Sequence, residues 1–114
     1  MKEIKAYMRP EYLECTICAL EEAGARDITV IRVDALGAMA SANIERWGQG
    51  NKYNAKYSGI AKIEIVCNDD QAFPLMKIIK RLAHTGEPGD GRVFMYPVEY
   101  AMNIRTDEDG EAAL

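Results

Sequence analysis

Several residue types are scarce in this chain. Cysteine occurs three times, proline four times, and histidine and tryptophan once each in 114 residues. So small and odd a cysteine count excludes a disulfide-framed secreted scaffold and matches reduced thiols in a cytoplasm. No stretch approaches the ~20 consecutive apolar residues of a membrane-spanning helix. The opening residues carry Lys2, Glu3, Lys5 and Arg9 among their apolar neighbours, so no apolar signal-peptide core is expected, and the location expected is cytoplasmic. Positive charge is short too. Fourteen Lys and Arg against eighteen Asp and Glu leave a net charge of -4, so no general field draws the chain to nucleic acid. Any polyanion would need a local site.

What is present is enough for one domain, residues 1–114, with a core of its own. Hydrophobic residues make up 48% and charged ones 28%, the balance of a soluble globular chain. Lys2 to Met8 alternates loosely and stops at Arg9-Pro10, a strand end where proline can open a helix. Leu13, Ile17, Leu20 and Ala23 then recur at helical spacing up to Gly24. Asp27 to Val33, rich in β-branched residues, predicts a second strand continuing toward Ala35.

The second half repeats that order. Ala61 to Cys67 predicts a strand, and Asn68-Asp69-Asp70 the start of a helix carried by Ala72, Leu75, Met76, Ile79, Leu82 and Ala83. Pro74, which lacks an N–H, pushes the expected helix start to Asp70 or later. A dense turn, Thr85 to Gly91, leads into a fourth strand, Arg92 to Val98. The fold class predicted is α+β, a ferredoxin-like βαββαβ sandwich with both helices on one sheet face.

The covered face is expected to carry Ile4, Ala6, Met8, Ile63, Ile65 and Phe94. The open face is expected to carry Lys5, Tyr7, Thr29, Ile31, Lys62, Glu64, Val66, Val93 and Met95. The apolar members of that second set call for a partner, so a homo-oligomer closing sheet on sheet is predicted. Ala38 to Ile60 shows no continuous hydrophobic period and is longer than ordinary connections. Arg46, Trp47, Lys52 and Tyr53 give it cations and contact-capable rings, and it is expected to be a partner-binding arm.

The strongest local signal is Thr85-Gly86-Glu87-Pro88-Gly89-Asp90-Gly91-Arg92. Glycines flanking an aspartate allow positive φ, so backbone N–H groups can converge on an anion beside the cation of Arg92. Phosphate is the natural ligand. Arg105 is a second cation that could meet it if the tail folds back.

With Tyr96-Pro97-Val98-Glu99 and Ile104-Arg105-Thr106 after this turn, the last third of the chain resembles the PII nitrogen-regulatory signal-transduction family. Met1-Lys2-x-Ile4-x-Ala6 with Arg9-Pro10, and Lys62-Ile63-Glu64-Ile65-Val66, are similar to that family as well. The resemblance implies a homotrimer that binds an adenine nucleotide, ATP, ADP or AMP, in clefts between subunits and has no catalytic cofactor. It further implies that Thr85, Gly86, Gly89, Asp90, Gly91 and Arg92 hold phosphates, joined by Arg105. Thr29, Glu64 and Val66 would line the adenine pocket and Gly37 would open the long loop, the family's T-loop. That loop would dock on an enzyme or a membrane transporter, and the C-terminal tail would span about 101–114.

Departures from the family pattern qualify this. Met39 stands where a glutamine helps hold magnesium and 2-oxoglutarate, and a thioether is a poor ligand for a hard cation. Ile60 stands where a lysine would pair with 2-oxoglutarate, and Asn103 where the tail carries a further arginine. Sensing of 2-oxoglutarate by the usual mechanism is not expected, and ADP or AMP is expected to compete well with ATP. Tyr53 lies near the family's modifiable tyrosine without its surrounding pattern.

Cys15-x-x-Cys18 falls at i and i+3 on the first helix, and Cys67 ends the third strand. All three are expected to be buried or half-buried small hydrophobes, His84 being too isolated to complete a zinc site. A ferredoxin-like trimer that uses these thiols for metal handling or cation tolerance is the rival reading. No nucleophile, base and orienting group can be assembled, so an enzyme is not expected.

Overall fold

The computed structural model describes residues 1–36 and 58–114. The expectations for Gly37, Met39, Arg46, Trp47, Lys52 and Tyr53 lie outside them. Strand β1 (Lys2–Met8) leads through a short 3-10 turn, Pro10–Tyr12, into helix α1 (Leu13–Glu22). Strands β2 (Thr29–Ala35) and β3 (Ser58–Cys67) follow, then helix α2 (Asp69–Ala83) and strand β4 (Arg92–Pro97). The sheet order is β2-β3-β1-β4, antiparallel throughout, which is the ferredoxin-like arrangement of two split βαβ units.

Helix α1 ends on a Schellman motif. Gly24 takes φ +88°, its N–H reaches Glu21 O at 2.9 Å, and the Ala25 N–H reaches Leu20 O at 2.9 Å. Two carbonyls that the helix end would otherwise strand are thereby satisfied. Helix α2 begins where Gln71 Oε1 accepts from the Asn68 N–H at 3.3 Å. Asp69 and Asp70 in its first turn, and Lys80 and Arg81 in its last, complement the helix dipole. Its buried stripe is Ala72, Leu75, Ile79 and Ala83.

That stripe, with Leu20 and Thr16 of α1, packs on Ile4, Ala6 and Met8 of β1 and Ile63 and Ile65 of β3. Burial of Thr16 is tolerated because its hydroxyl donates to Tyr12 O at 2.6 Å. Every covered-face residue expected on β1 and β3 is in this core. The two central strands are thus the platform, and the edge strands β2 and β4 carry more exposed residues.

Several sequence expectations are corrected. The faces of β4 are inverted: Val93 pairs with Ala6 and packs against the core, Met95 pairs with Ile4, and Phe94 pairs with Lys5 on the open face. Apolar residues occupy both parities of Arg92–Pro97, so alternation does not choose a face; the hydrogen-bond register with β1 does. Asp27 sits at φ +49°, outside the extended region, so β2 starts at Thr29 rather than Asp27. Strand β3 starts at Ser58 rather than Ala61, because Ser58, Gly59 and Ile60 pair with Ala35, Asp34 and Val33. Ile60 is buried there rather than lying in a loop.

Helix α2 starts at Asp69 and carries Pro74 inside it, five residues beyond the first turn's opening. The missing N–H leaves the Asp70 carbonyl without its helical donor, which is tolerable on an exposed face that water reaches. Cys15 and Cys18 are exposed, against expectation, whereas Cys67 is buried and burial raises its thiol pKa. At i and i+3 on α1 the first two fall outside the buried positions, which are Thr16 and Leu20.

Candidate functional site: two clefts at opposite sheet edges

The turn between α2 and β4 is built around one carboxylate. Asp90 Oδ2 accepts from the Thr85 N–H at 2.8 Å and the Gly86 N–H at 2.9 Å, and Oδ1 accepts from the Thr85 hydroxyl. Thr85 Oγ1 in turn accepts from the Glu87 N–H at 3.1 Å. Gly86, Gly89 and Gly91 sit at φ +88°, +98° and +104°, values that disfavour any side chain. The glycine spacing of the motif is therefore set by the closure of this ring of bonds, and the positive φ expected from the sequence is what the backbone adopts.

Arg9 completes the ring from the end of β1. Its guanidinium pairs with Asp90, donates to Thr85 Oγ1 at 2.9 Å, and donates through Nη2 to Pro88 O at 2.8 Å. Its side chain is only 10% exposed. The Thr85 hydroxyl foremost, with the Thr85 and Gly86 amides and the Arg9 guanidinium, holds the Asp90 carboxyl well below the usual carboxylate range. His84 Nδ1 lies 3.4 Å from Asp90 Oδ2.

With Thr85, Gly86 and Glu87 amides spent on this ring, the Gly89 and Asp90 N–H groups have no acceptor among the described residues. Gly89 and Asp90 line an open cleft of about 460 Å³ with Gly91, Arg92, Tyr7 and Phe94. Arg92 is exposed and pairs in register with Tyr7. Amides and a cation with no carboxylate partner among the described residues are what an anionic oxygen needs.

Thr29, Glu64 and Val66 lie elsewhere. They share a cleft of about 600 Å³ with Gly24 to Asp27, Asn68 and Gln71. Thr29 opens β2 opposite Glu64, so the ladder itself places them side by side. Glu64 is bridged to Lys62 at 2.5 Å, which lowers its pKa and raises that of Lys62, and Lys5 lies 4.0 Å away. Asn68 Oδ1 is buried there, at the capping box that Asn68 forms with Gln71.

Among the described residues the two clefts share no lining residue. Thr29 and Arg92 belong to opposite edges of the sheet, three strand spacings apart, or ~14 Å. Arg105 lines neither cleft and stands exposed in a turn of the tail. The tail does fold back, but toward the other cleft, where Glu111, Ala113 and Leu114 form part of the wall.

Asn103 organises that tail. Its Oδ1 accepts from the Arg105 and Thr106 N–H groups at 3.0 and 3.1 Å, and its Nδ2 donates to Ala113 O at 3.4 Å. The backbone-binding role of Asn103 and the contact of Arg9 with the turn are not among the sequence expectations, which give Asn103 as a missing arginine and Arg9 as a strand end and part of the family motif. Signals for both were present: asparagine commonly binds the backbone two residues on, and a cation directly after a buried strand residue needs an anionic partner.

Residues 1–108 match the family model described as Nitrogen regulatory protein P-II. A Nitrogen regulatory protein P-II of Porphyra purpurea is 37% identical over 114 residues, all of both chains. The Nitrogen regulatory protein P-II 2 of Methanothermobacter thermautotrophicus is 39% identical over all of this chain and 97% of its own. The Nitrogen regulatory protein GlnK2 of Haloferax mediterranei is 36% identical, over all of this chain and 91% of its own. The chain belongs to the PII family of nitrogen regulatory proteins, and its role is regulatory rather than catalytic.

Membership of that family weighs against the thiol-based metal reading. No group of three or more His, Cys, Asp and Glu residues able to hold a metal ion occurs among the described residues. Among them no helix is long and apolar enough to cross a membrane.

Proposed function

We propose that the protein is a cytoplasmic PII-type sensor that binds an adenine nucleotide between subunits of a homotrimer and reports its state to a partner. The observation that carries this reading is the separation of the two clefts. One edge offers Gly89, Asp90, Gly91 and Arg92 for phosphates, and the opposite edge offers Thr29, Glu64 and Val66 for a base. Neither half suffices alone, and a cyclic assembly that brings the β4 edge of one chain to the β2 edge of the next completes the site. Arg105, Thr85 and Gly86 would act on the phosphate side, Arg105 by reaching across and the other two through the turn they close.

In this reading, occupancy is transmitted through Leu36, which lines the phosphate cleft, to Gly37 and the 38–57 segment that precedes β3. Arg46, Trp47, Lys52 and Tyr53 would contact the partner, a metabolic enzyme or a membrane transporter. Differential contact of ATP and ADP with this base is what would shift the segment between states.

Asn103, Met39 and Ile60 set the ligand preference. A missing arginine removes a charge-assisted contact of ~1.5–3 kcal/mol to the terminal phosphate. Calorimetry with ATP, ADP and AMP is expected to give affinities for ATP and ADP within about tenfold of each other, with no tightening by 2-oxoglutarate and magnesium. Absence of heat with all three nucleotides, or strong synergy of ATP with 2-oxoglutarate, overturns it.

A further inference from the structure

The hydrogen-bond ring around Asp90 raises an electrostatic problem. If the Gly89–Arg92 turn receives phosphate, a carboxylate already sits in that turn, ionised and adjacent to the free amides. Two anions at such a distance repel unless a cation compensates one of them. Arg92 is exposed and has no carboxylate partner among the described residues, so it is free for the ligand rather than for Asp90. Arg9 is the opposite case: nine-tenths buried, paired with Asp90, and bonded to both Thr85 and Pro88.

We propose that Arg9 is the positioning residue of the anion turn, neutralising Asp90 and holding the Pro88 carbonyl so that the turn accepts a phosphate it never touches itself. This rests on the nucleotide-binding reading above. Arg9 directly follows β1, a central strand whose alternate residues Ile4, Ala6 and Met8 are fully buried, so the cation is tethered to the packed core of the sheet. The turn is thus tied to the end of a core strand as well as closed by its own Asp90 bonds and glycines. Fork geometry matters, because one nitrogen serves Asp90 and Thr85 while the other serves Pro88.

The test is a set of variants titrated calorimetrically with ADP and with inorganic triphosphate, all checked for wild-type circular dichroism. Arg9→Ala is expected to weaken both ligands by about tenfold or more, because it leaves a carboxylate uncompensated beside the incoming anion. Arg9→Lys, which restores charge without the fork, is expected to recover part of that loss, the remainder being what the second nitrogen contributes at Pro88. The double variant Arg9→Ala with Asp90→Asn is expected to recover it as well: the amide oxygen still accepts from Thr85 and Gly86, its nitrogen donates to Thr85 Oγ1, and no charge remains to repel. Should Arg9→Ala fail to fold, Arg9→Gln, which keeps a donor for Pro88, carries the same comparison.

Wild-type affinity in Arg9→Ala, within about twofold, overturns the proposal. So does a loss that neither the lysine nor the double variant restores, since that marks a purely architectural arginine. Triphosphate binding without ADP binding in the wild type defeats the nucleotide reading while leaving Arg9 testable by the same variants. Failure of both ligands to bind the wild type defeats both.

Discussion

Asp90 shows how one side chain can be needed for shape rather than for ligand contact. Its two oxygens close the 85–90 ring, and the same bonds depress its pKa. A carboxyl whose folded pKa lies below its unfolded value stabilises the fold at all pH above the unfolded value, and that contribution is lost as pH falls through the folded one. Asp90→Asn is therefore expected to lower the melting temperature near neutral pH. The gap from wild type should begin to narrow as pH drops below about 4, where the carboxyl of the unfolded chain protonates, and should close only as pH falls through the lower folded value. Thermal melts followed by circular dichroism at neutral and acid pH decide this; a gap that stays constant with pH contradicts it. Arg92, by contrast, is bound to no carboxylate among the described residues, so Arg92→Ala is expected to cost nucleotide affinity about tenfold with little change in melting temperature.

Helices α1 and α2 carry two opposite departures from plain helical sequence. Gly24 occupies the left-handed position that lets Ala25 bond Leu20, and a Cβ there is strained whatever the space around it. Gly24→Ala is expected to destabilise by about 1 kcal/mol. Pro74 is the reverse: it costs a hydrogen bond inside α2 with nothing in the structure that requires it. An alanine restores the N–H, worth up to ~3 kcal/mol in a helix interior, against ~0.4–1 kcal/mol of chain entropy that proline removes from the unfolded state. Pro74→Ala is expected to stabilise by roughly 2 kcal/mol, read from urea denaturation midpoints. Unchanged or lowered stability would show that the helix has adapted its axis to the ring.

For the assembled molecule the decisive feature is that each chain presents two unlike edges. Light scattering coupled to size exclusion is expected to return three times the 12.7 kDa chain mass. Mixed assembly is the sharper experiment. Arg92→Ala weakens the phosphate side and Val66→Asp the base side, so each variant by itself should show no site of wild-type affinity, its binding lying about tenfold or more below wild type. Unfolded together and refolded, they should regain on the order of a quarter of the wild-type sites, because a shared site is intact wherever two wild-type halves meet. A site contained within one chain would never be rescued by mixing.

Much of this architecture was legible in the order of residues because it rests on local chemistry. Periodicity of 3.6 placed Leu20, Leu75 and Ile79 on buried helix faces, and alternation placed Ile4, Ala6, Met8, Ile63 and Ile65 in the core. Glycines at 86, 89 and 91 announced a turn with positive φ. Local rules failed where the outcome depends on a distant partner. The face of each β4 residue follows from its pairing with Ile4 and Ala6, some ninety residues away. The length of β3 follows from Val33 to Ala35, and the role of Arg9 from Thr85, Pro88 and Asp90.

The scarcities noted at the outset keep their meaning with one change. Few cysteines meant no disulfide framework, but the tertiary packing exposed Cys15 and Cys18 and buried only Cys67. Composition and motif order were enough for the class of fold and the family, because these depend on patterns written into consecutive residues. Which side chains compensate one another across the sheet, and that the presumptive ligand groups lie at opposite edges, depended on strand order and register. Those are properties of contacts between segments far apart in the chain, and no window of consecutive residues contains them.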